Sequence, residues 1–310
     1  MNEPAAAAPD TARKPTVALA LGAGGAKGLA HIGVIEELER QGFEIVAIAG
    51  SSMGALVGGI HAMGKLAVYR DWACALARLD VLRLADWTLS GGGLIKGERI
   101  INTLRRLTGD IRIEDLPLSF TAVATDLDRG REVWLTRGSL FNAIRASTAL
   151  PTVFRPYLLD GRWLVDGALL NPVPVTPLVR EHADYLIAVS LHGRTTPVPS
   201  AAADLPAEGA LASARERLAD LVARWVPQGA PAVPARGAFD LLNQSIDLMQ
   251  SHLSRLRLAV YEPDLLIELP RDLANVYEFY RASELIERGR EQARQTLDAW
   301  QAAPVQPHKA

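Results

Sequence analysis

Residues 45–60 read IVAIAGSSMGALVGGI, a run of apolar and small side chains that contains two adjacent serines. From Ile45 to Gly64, His61 is the only side chain that can carry a charge. An uncharged run of about 20 residues is long enough to span a bilayer. However, this run also holds five glycines and the serine pair, which favours a buried strand, a turn and a helix over a membrane span.

The turn between that strand and that helix carries a candidate catalytic motif. Residues 50–54, GSSMG, match the pattern G-x-S-x-G with Ser52 at its centre. In such an elbow the serine stands on a sharp strand-to-helix turn, and small flanking residues let the two backbones approach each other. The pattern is short, so a glycine-rich helix start packed on a sheet explains it equally well. Ser52 is therefore a candidate nucleophile, with Gly50 and Gly54 as supports.

A glycine-rich loop precedes the elbow. The apolar run TVALALG (16–22) is typical of a buried strand, and GAGGAKG (22–28) forms a loop before a helix. Glycines permit close backbone approach, and the free N–H groups of a helix N-terminus attract negative charge. The loop therefore suits a phosphate or a reaction oxyanion. Its spacing, G-x-G-x-x-x-G, fits neither the dinucleotide pattern nor the P-loop pattern, which disfavours a nucleotide-binding protein.

The alternation of elements predicts the fold class. Strand, helix, strand and helix follow one another between residues 16 and 64, as in a parallel sheet covered by helices. We therefore predict an α/β protein with three layers, α/β/α, and a mostly parallel central sheet. The further predicted elements are two strands joined by a turn (120–138), a short helix before Pro151, a hairpin turning at Asp160-Gly161, strands at 183–193 and 264–270, and a helix to about Trp300.

The composition of the chain changes after residue 193. Residues 194–236 are rich in Ala and Pro and enclose LASARERLADLVARW, which has one apolar stripe at helical spacing. A surface helix docked on the core is the simpler interpretation, and a lid or a membrane-surface helix is the alternative. The predicted organisation is a disordered lead (1–15), a catalytic core (16–193), this insertion (194–236), a C-terminal part that completes the same domain (237–300) and a frayed tail (301–310).

An aspartate is the candidate partner of Ser52. In LVDGALLNPVPV, Asp166 follows an apolar strand, and Gly167 permits a sharp turn after it. This arrangement can present a catalytic carboxylate, although a solvated turn aspartate is the commoner case. Asp126 and Asp160 compete on similar grounds. The sequence shows no cluster of metal ligands, so we expect neither a metal nor a cofactor.

Composition excludes several classes of partner and location. The 310 residues carry a net charge of −2, so nothing favours a nucleic-acid partner. The single cysteine, Cys74, rules out a disulfide within one chain and fits a reducing compartment, so we expect a cytoplasmic protein. At the N-terminus an Ala/Pro segment precedes the basic pair Arg13-Lys14, which is the reverse of the order in a signal peptide. The oligomeric state cannot be read from the sequence.

Together and in this order, the three motifs resemble those of the patatin-like phospholipases. They are most similar to the bacterial branch that resembles the catalytic domain of neuropathy target esterase. The similarity runs from about Thr16 to His192. The matching blocks are LALGAGGAKGLAHIGVIEELE (19–39) for the glycine-rich loop, GSSMGALVGG (50–59) for the nucleophile elbow, and AIRASTALPTVFRPYLLDGRWLVDGALLNPVPV (143–175) for the block that contains Asp-Gly.

The resemblance implies a patatin-like fold and a Ser–Asp dyad without a catalytic histidine or a cofactor. By position, Ser52 is the nucleophile and Asp166 its general base. Gly24, Gly25 and Ala26 would donate backbone N–H groups to the oxyanion. The supporting residues would be Lys27, Gly50, Gly54 and Gly167.

These expectations predict a serine hydrolase that cleaves lipid carboxylic esters through an acyl-enzyme on Ser52, with peripheral contact at the inner membrane face. A carboxylate acts as a base near neutral pH when burial raises its pKa. Two alternatives stay open. One is a Ser–His–Asp esterase that uses His192, which follows a strand in VSLHG. The other is a catalytically silent lipid-binding or regulatory protein on the same fold.

Overall fold

The computed structural model describes residues 13–84, 86, 93–194 and 238–302. Most of the predicted N-terminal lead, the 194–236 insertion with its amphipathic helix, and the predicted tail lie outside the described residues. By its internal contacts the chain divides into two compact units, Met1–Thr195 with Asp247–Ala310 and Thr196–Ile246. The first unit contains the sheet and the candidate site. Of the second unit, residues 238–246 are described, and they form the start of a helix.

Strands and helices alternate as the sequence predicts, and the segment at residues 45–60 forms a strand, a turn and a helix. None of the described helices is long and apolar enough to cross a bilayer. The strands are β1 (Thr16–Leu21), β2 (Glu44–Ser51), β3 (Gly93–Ile95), β4 (Ser119–Asp126), β5 (Arg131–Leu135), β6 (Thr152–Phe154), β7 (Tyr157–Leu159), β8 (Arg162–Asp166), β9 (Tyr185–Gly193) and β10 (Leu265–Pro270). The helices are α1 (Ala30–Arg40), α2 (Met53–Ala62), α3 (Leu66–Cys74), α4 (Arg78–Leu84), α5 (Glu98–Thr108), α6 (Leu140–Ser147), α7 (Ala238–Val260) and α8 (Ala282–Ala302).

Eight strands of the described residues form one sheet in the order β10-β9-β1-β2-β4-β8-β7, with β5 paired to β4. β10, β9, β1, β2 and β4 are parallel, whereas β5 and β8 pair antiparallel with β4 and β7 pairs antiparallel with β8. Strands β3 and β6 form a separate parallel pair. The mostly parallel sheet between helices confirms the predicted three-layer α/β/α fold.

The sheet is buried on both faces at its centre. All six residues of β1 are buried, and successive side chains of a strand point to opposite faces. Val17, Leu19 and Leu21 therefore join the larger core with α1 and α2, while Ala18 and Ala20 join a smaller core on the other face. Continuous apolar runs such as TVALAL follow from this two-sided burial.

Candidate active site

The two candidate catalytic residues stand at the ends of two strands that meet on one edge of β4. Strand β2 pairs with β4 up to Ser51, which lies opposite Val123. Strand β8 runs the other way and pairs with β4 up to Asp166, which lies opposite Ala124. Because β5 occupies the other edge of β4 over these residues, β2 and β8 share one edge. Their carboxyl ends face each other, so Ser52 and Asp166 meet although they are 114 positions apart in the chain.

Ser52 has the backbone conformation of a nucleophile elbow. Its φ is 55° and its ψ is −122°, a region that is strained for a residue with a side chain. A Cβ atom on Gly50 would lie 2.4 Å from the nitrogen of Ala55, and one on Gly54 would lie 2.0 Å from the carbonyl oxygen of Leu21. Both positions therefore require glycine, because the turn brings backbones too close for any side chain.

A hydrogen bond joins the two candidate catalytic side chains. The Ser52 hydroxyl donates to Oδ2 of Asp166 at 2.7 Å. Burial raises the pKa of the Asp166 carboxyl to about 6, against the opposing effect of the bonds donated by Ser52 and by the N–H of Ala168. The carboxylate is thus ionised at neutral pH and more basic than an ordinary aspartate. It is placed to accept the Ser52 proton as the hydroxyl oxygen attacks a carbonyl carbon.

The C-terminal end of α6 and the turn after it hold both residues, and the sequence did not predict this contact. The buried hydroxyl of Ser147 accepts the N–H of Ser52 at 3.0 Å and donates to the carbonyl of Val123 at 2.6 Å. Two residues later, the carbonyl of Ala149 accepts the N–H of Asp166 at 3.0 Å. One short turn therefore sets the spacing of serine and aspartate. A serine at the end of a predicted helix has no functional pattern of its own, so only its place in the RASTALP block pointed to it.

Residues of β4 also hold the backbone around Asp166. The Thr125 hydroxyl donates to the carbonyl of Asp166 at 3.0 Å. A Cβ on Gly167 would lie 2.1 Å from the carbonyl oxygen of Val123 and 2.6 Å from the hydroxyl of Ser51. The residue after the aspartate must therefore be glycine, because the chain turns directly against the backbone of β4 and the last residue of β2.

The glycine-rich loop lies against the elbow. It leaves β1, continues as a 3₁₀ turn at Gly25–Leu29 and leads into α1. A Cβ on Gly28 would lie 2.3 Å from Cβ of Met53, the first residue of α2. At its start, the N–H of Ala23 donates to the carbonyl of Pro172 at 2.8 Å. The loop is thus packed beside the nucleophile turn and tied to the segment that follows Asp166.

The three predicted oxyanion donors differ in whether their N–H groups already bond within the protein. The partly exposed Gly24 and Gly25 have N–H groups that bond to no other part of the chain within the described ranges. Ala26 differs, because it is buried and its N–H donates to the carbonyl of Val276 at 3.0 Å. Of the three predicted donors, Gly24 and Gly25 therefore have an N–H available to a ligand, and the N–H of Ala26 is engaged in holding the loop.

Lys27 supports this loop from within the protein. Its ammonium group donates to the carbonyl of Arg271 at 3.0 Å and lies 3.8 Å from the carboxylate of Asp247 on α7. Burial lowers the pKa of Lys27, and the charge of Asp247 partly offsets that effect. The side chain links the loop to two distant segments, and its supporting role stays a prediction.

His192 lies near Lys27 and Asp247 rather than near the Ser52–Asp166 pair. Its Nδ1 is 3.7 Å from Oδ1 of Asp247. Burial, and then the charge of Lys27, lower the pKa of His192 to about 4, so the imidazole is neutral at neutral pH. Within the described residues, no hydrogen bond joins its ring to Ser52 or Asp166. The described residues therefore do not show the hydrogen bond from His192 to Ser52 or Asp166 that a Ser–His–Asp triad requires.

The two competing aspartates are turn residues. The buried carboxylate of Asp126 accepts both the backbone N–H and the guanidinium of Arg129 at 3.0 Å, which closes the turn between β4 and β5. Asp160 is exposed and has a φ of 49° in the hairpin between β7 and β8. Neither contacts Ser52, so Asp166 is the aspartate that the fold brings to the candidate nucleophile.

A pocket of about 610 Å³ lies beside β7 and β8, and neither Ser52 nor Asp166 lines it. Trp163 precedes Asp166 by three residues, which is about 10 Å along a strand, and its carbonyl accepts the N–H of Leu127 at 3.1 Å. Both side chains line the pocket, together with the cationic Lys96 and Arg145 and two acidic residues. A lining that is part apolar and part charged suits an amphiphilic ligand.

Comparisons with known proteins identify the family. The patatin-like phospholipase family model matches residues 19–179. An uncharacterized NTE family protein of Mycobacterium bovis is 41% identical to this chain, over 97% of this chain and 96% of its own length. Lysophospholipase NTE1 of Kluyveromyces lactis is 31% identical over 56% of this chain, which corresponds to 12% of that protein. The crystal structure of VipD from Legionella pneumophila aligns over 92% of this chain and 67% of its own, with 16% identity and a TM-score of 0.44.

The family model covers more than half of the chain, and the mycobacterial relative matches nearly all of it. These matches confirm the resemblance that the three sequence motifs indicate. The chain belongs to the patatin-like phospholipase family of carboxylic ester hydrolases.

Proposed function

We propose that this protein hydrolyses lipid carboxylic esters, in the manner of a phospholipase A or a lysophospholipase, by a Ser–Asp dyad. The observation that carries the proposal is the 2.7 Å hydrogen bond from the Ser52 hydroxyl to the buried carboxylate of Asp166. The name of the yeast relative, a lysophospholipase, supports a lipid ester as the substrate. A cytoplasmic location is part of the proposal and rests on the single cysteine.

In the first half of the reaction, Asp166 takes the proton of Ser52 while the oxygen attacks the ester carbonyl carbon. The carbonyl oxygen becomes an oxyanion, which the N–H groups of Gly24 and Gly25 stabilise. Loss of one such donor costs an acyl-transfer enzyme about 10²–10³ in rate. When the C–O bond breaks, protonated Asp166 gives its proton to the leaving alcohol, and the acyl group stays on Ser52.

In the second half, water attacks the acyl-enzyme. Asp166, ionised again, takes a proton from the water, and the same N–H groups stabilise the second oxyanion. Collapse of this intermediate releases the fatty acid and returns the proton to Ser52. A single carboxylate therefore alternates between base and acid, which suits a pKa of about 6 better than the ordinary value of an aspartate.

The test compares turnover of diacyl phospholipids, lysophospholipids and simple esters by wild type, Ser52→Ala and Asp166→Asn. Ser51→Ala is the matched control, because the Ser51 hydroxyl is adjacent, buried and without a hydrogen-bond partner among the described residues. We expect both dyad variants to lose turnover and Ser51→Ala to keep it. Full turnover by Ser52→Ala would overturn the assignment, and a wild type that neither turns over lipids nor reacts with a fluorophosphonate would favour a silent binding protein.

A further inference from the structure

Along Asp247–Val260, the part that belongs to the same compact unit as the sheet, helix α7 places Leu258 in the core but also buries several polar side chains and exposes several large apolar ones. A surface helix normally buries its apolar side chains and exposes its polar ones. Here, the buried polar side chains are Gln250, Ser251 and Ser254, and the exposed apolar ones are Leu248 (60% exposed), Met249 (63%), Leu256 (62%) and Val260 (71%).

The four exposed side chains form one surface, which we name the apolar face of α7. Residues 248, 249, 256 and 260 recur at the spacing that places side chains on one side of a helix, and the half-exposed Tyr261 follows directly. A contiguous group of exposed apolar side chains marks an interaction site in a folded protein. The apolar face of α7 therefore needs a partner that is itself apolar.

The charge around this face identifies the kind of partner. Between Leu248 and Tyr261 the chain contains two arginines and no acidic residue, although its total charge is −2. Arg255 is exposed, whereas Arg257 pairs with Glu132 at 3.4 Å. Exposed apolar side chains with a cation beside them are typical of a helix that lies on a lipid surface and binds anionic head groups.

The position of α7 connects this face to the candidate site. Asp247, at the start of the same stretch, lies 3.8 Å from the ammonium of Lys27 and 3.7 Å from the ring of His192. Lys27 belongs to the glycine-rich loop whose next residue, Gly28, packs on the first residue of α2. The helix that carries the apolar face therefore also contacts, through Asp247, the loop that contains the proposed oxyanion donors.

We infer that the apolar face of α7 docks the protein on an anionic lipid surface. The inference rests on the proposed lipid substrate for its purpose, but the docking step needs neither Ser52 nor Asp166. It places membrane contact on α7, outside the insertion where the sequence analysis locates a candidate membrane helix.

The test measures co-sedimentation of the full chain with vesicles of phosphatidylcholine and vesicles of phosphatidylcholine mixed with phosphatidylglycerol. The variant carries Leu248→Gln, Met249→Gln and Leu256→Gln. The control carries Leu79→Gln and Val179→Gln, which change apolar side chains that are 64% and 55% exposed on other elements. All substitutions are at exposed positions, so turnover of a soluble short-chain ester should stay at the wild-type rate and report correct folding.

We expect wild type and control to bind the mixed vesicles, and the triple variant to bind them about tenfold more weakly for each side chain that inserts fully. Arg255→Gln should weaken binding to the mixed vesicles by about fivefold and leave binding to phosphatidylcholine unchanged. Ser52→Ala should bind like wild type, so failure of the dyad and failure of docking give different results.

Three results would overturn the inference. One is wild type that binds neither kind of vesicle, and another is a triple variant that binds as tightly as wild type. The third is a wild-type dimer in sedimentation equilibrium that the triple substitution converts to a monomer, because a second copy of the chain would then be the occupant of the apolar face.

Discussion

Replacing Asp166 by Asn should remove activity and stabilise the folded protein above pH 6. Asp166 is 1% exposed, and burial raises its pKa to about 6 from an ordinary 3.8. Between these two values the folded protein holds a proton that the unfolded chain has released. The free energy of unfolding therefore falls as the pH rises through this window, by about 1.4 kcal/mol per pH unit. The loss from this one group is complete above pH 6 and amounts to about 3 kcal/mol.

An asparagine carries no charge, so the free energy of unfolding of the variant does not fall in this way as the pH rises. Its side-chain oxygen can still accept the N–H of Ala168, which bonds to Oδ1 of Asp166 at 2.8 Å in the wild type. We expect Asp166→Asn to be about 3 kcal/mol more stable than wild type at pH 8, a rise of about 5 °C in Tm for a chain of this length. At pH 4 the wild-type carboxyl is itself neutral, and the two proteins should be equally stable.

The assay is urea and thermal unfolding of both proteins at intervals from pH 4 to pH 8, beside the pH profile of wild-type kcat. Asp298→Asn is the control, because Asp298 is exposed on α8. Turnover should rise as the base ionises and reach a plateau above about pH 6, while the stability gain of Asp166→Asn grows over the same range. A variant no more stable than wild type at pH 8, or a kcat that is flat from pH 5 to pH 7, would refute the reasoning.

Three further predictions concern the frame around the dyad. Ser147→Ala removes the hydroxyl that accepts the N–H of Ser52. Loss of that partner costs about 1–3 kcal/mol, so kcat should fall about tenfold at constant KM. The control Thr148→Val, which removes a hydroxyl that bonds to the carbonyl of Ile144, should show no such fall. His192→Ala should keep turnover, and near-total loss with intact folding would favour the Ser–His–Asp triad. Gly54→Ala puts a Cβ 2.0 Å from a backbone oxygen and should lower the unfolding free energy by about 3 kcal/mol; an unchanged urea midpoint would contradict that.

Local patterns in the sequence predicted the central strands of the sheet and the turn that carries Ser52, whereas the choice of Ser52 as nucleophile also needed the other two motifs. Strands β1 and β2 are short apolar runs. Their sequences are mostly apolar because both faces of the central sheet are covered, and this pattern made them predictable. The elbow follows from the glycines, because the structure leaves no room for a side chain at Gly50 or Gly54. The last helix ends at Ala302, two residues beyond the prediction, since helix ends carry little signal.

Contacts between segments that are distant in the chain could not be predicted from the sequence. The N–H of Ala26 is taken by Val276, and nothing in the glycine-rich loop itself indicates that partner. Ser147 holds the elbow only because α6 ends beside β4, which depends on the order of strands in the sheet. The segments that form helices α3, α4 and α5 carry no motif, so these helices were not predicted.

The most direct test of the Ser–Asp account is mass spectrometry of the enzyme quenched with acid during turnover of a lysophospholipid. We expect the mass of one acyl group on the wild-type peptide that contains Ser52, and no acylation in Ser52→Ala or Asp166→Asn. The Ser51→Ala control should show the same adduct as wild type. An acyl group on any other residue, or continued turnover by Ser52→Ala, would contradict the account.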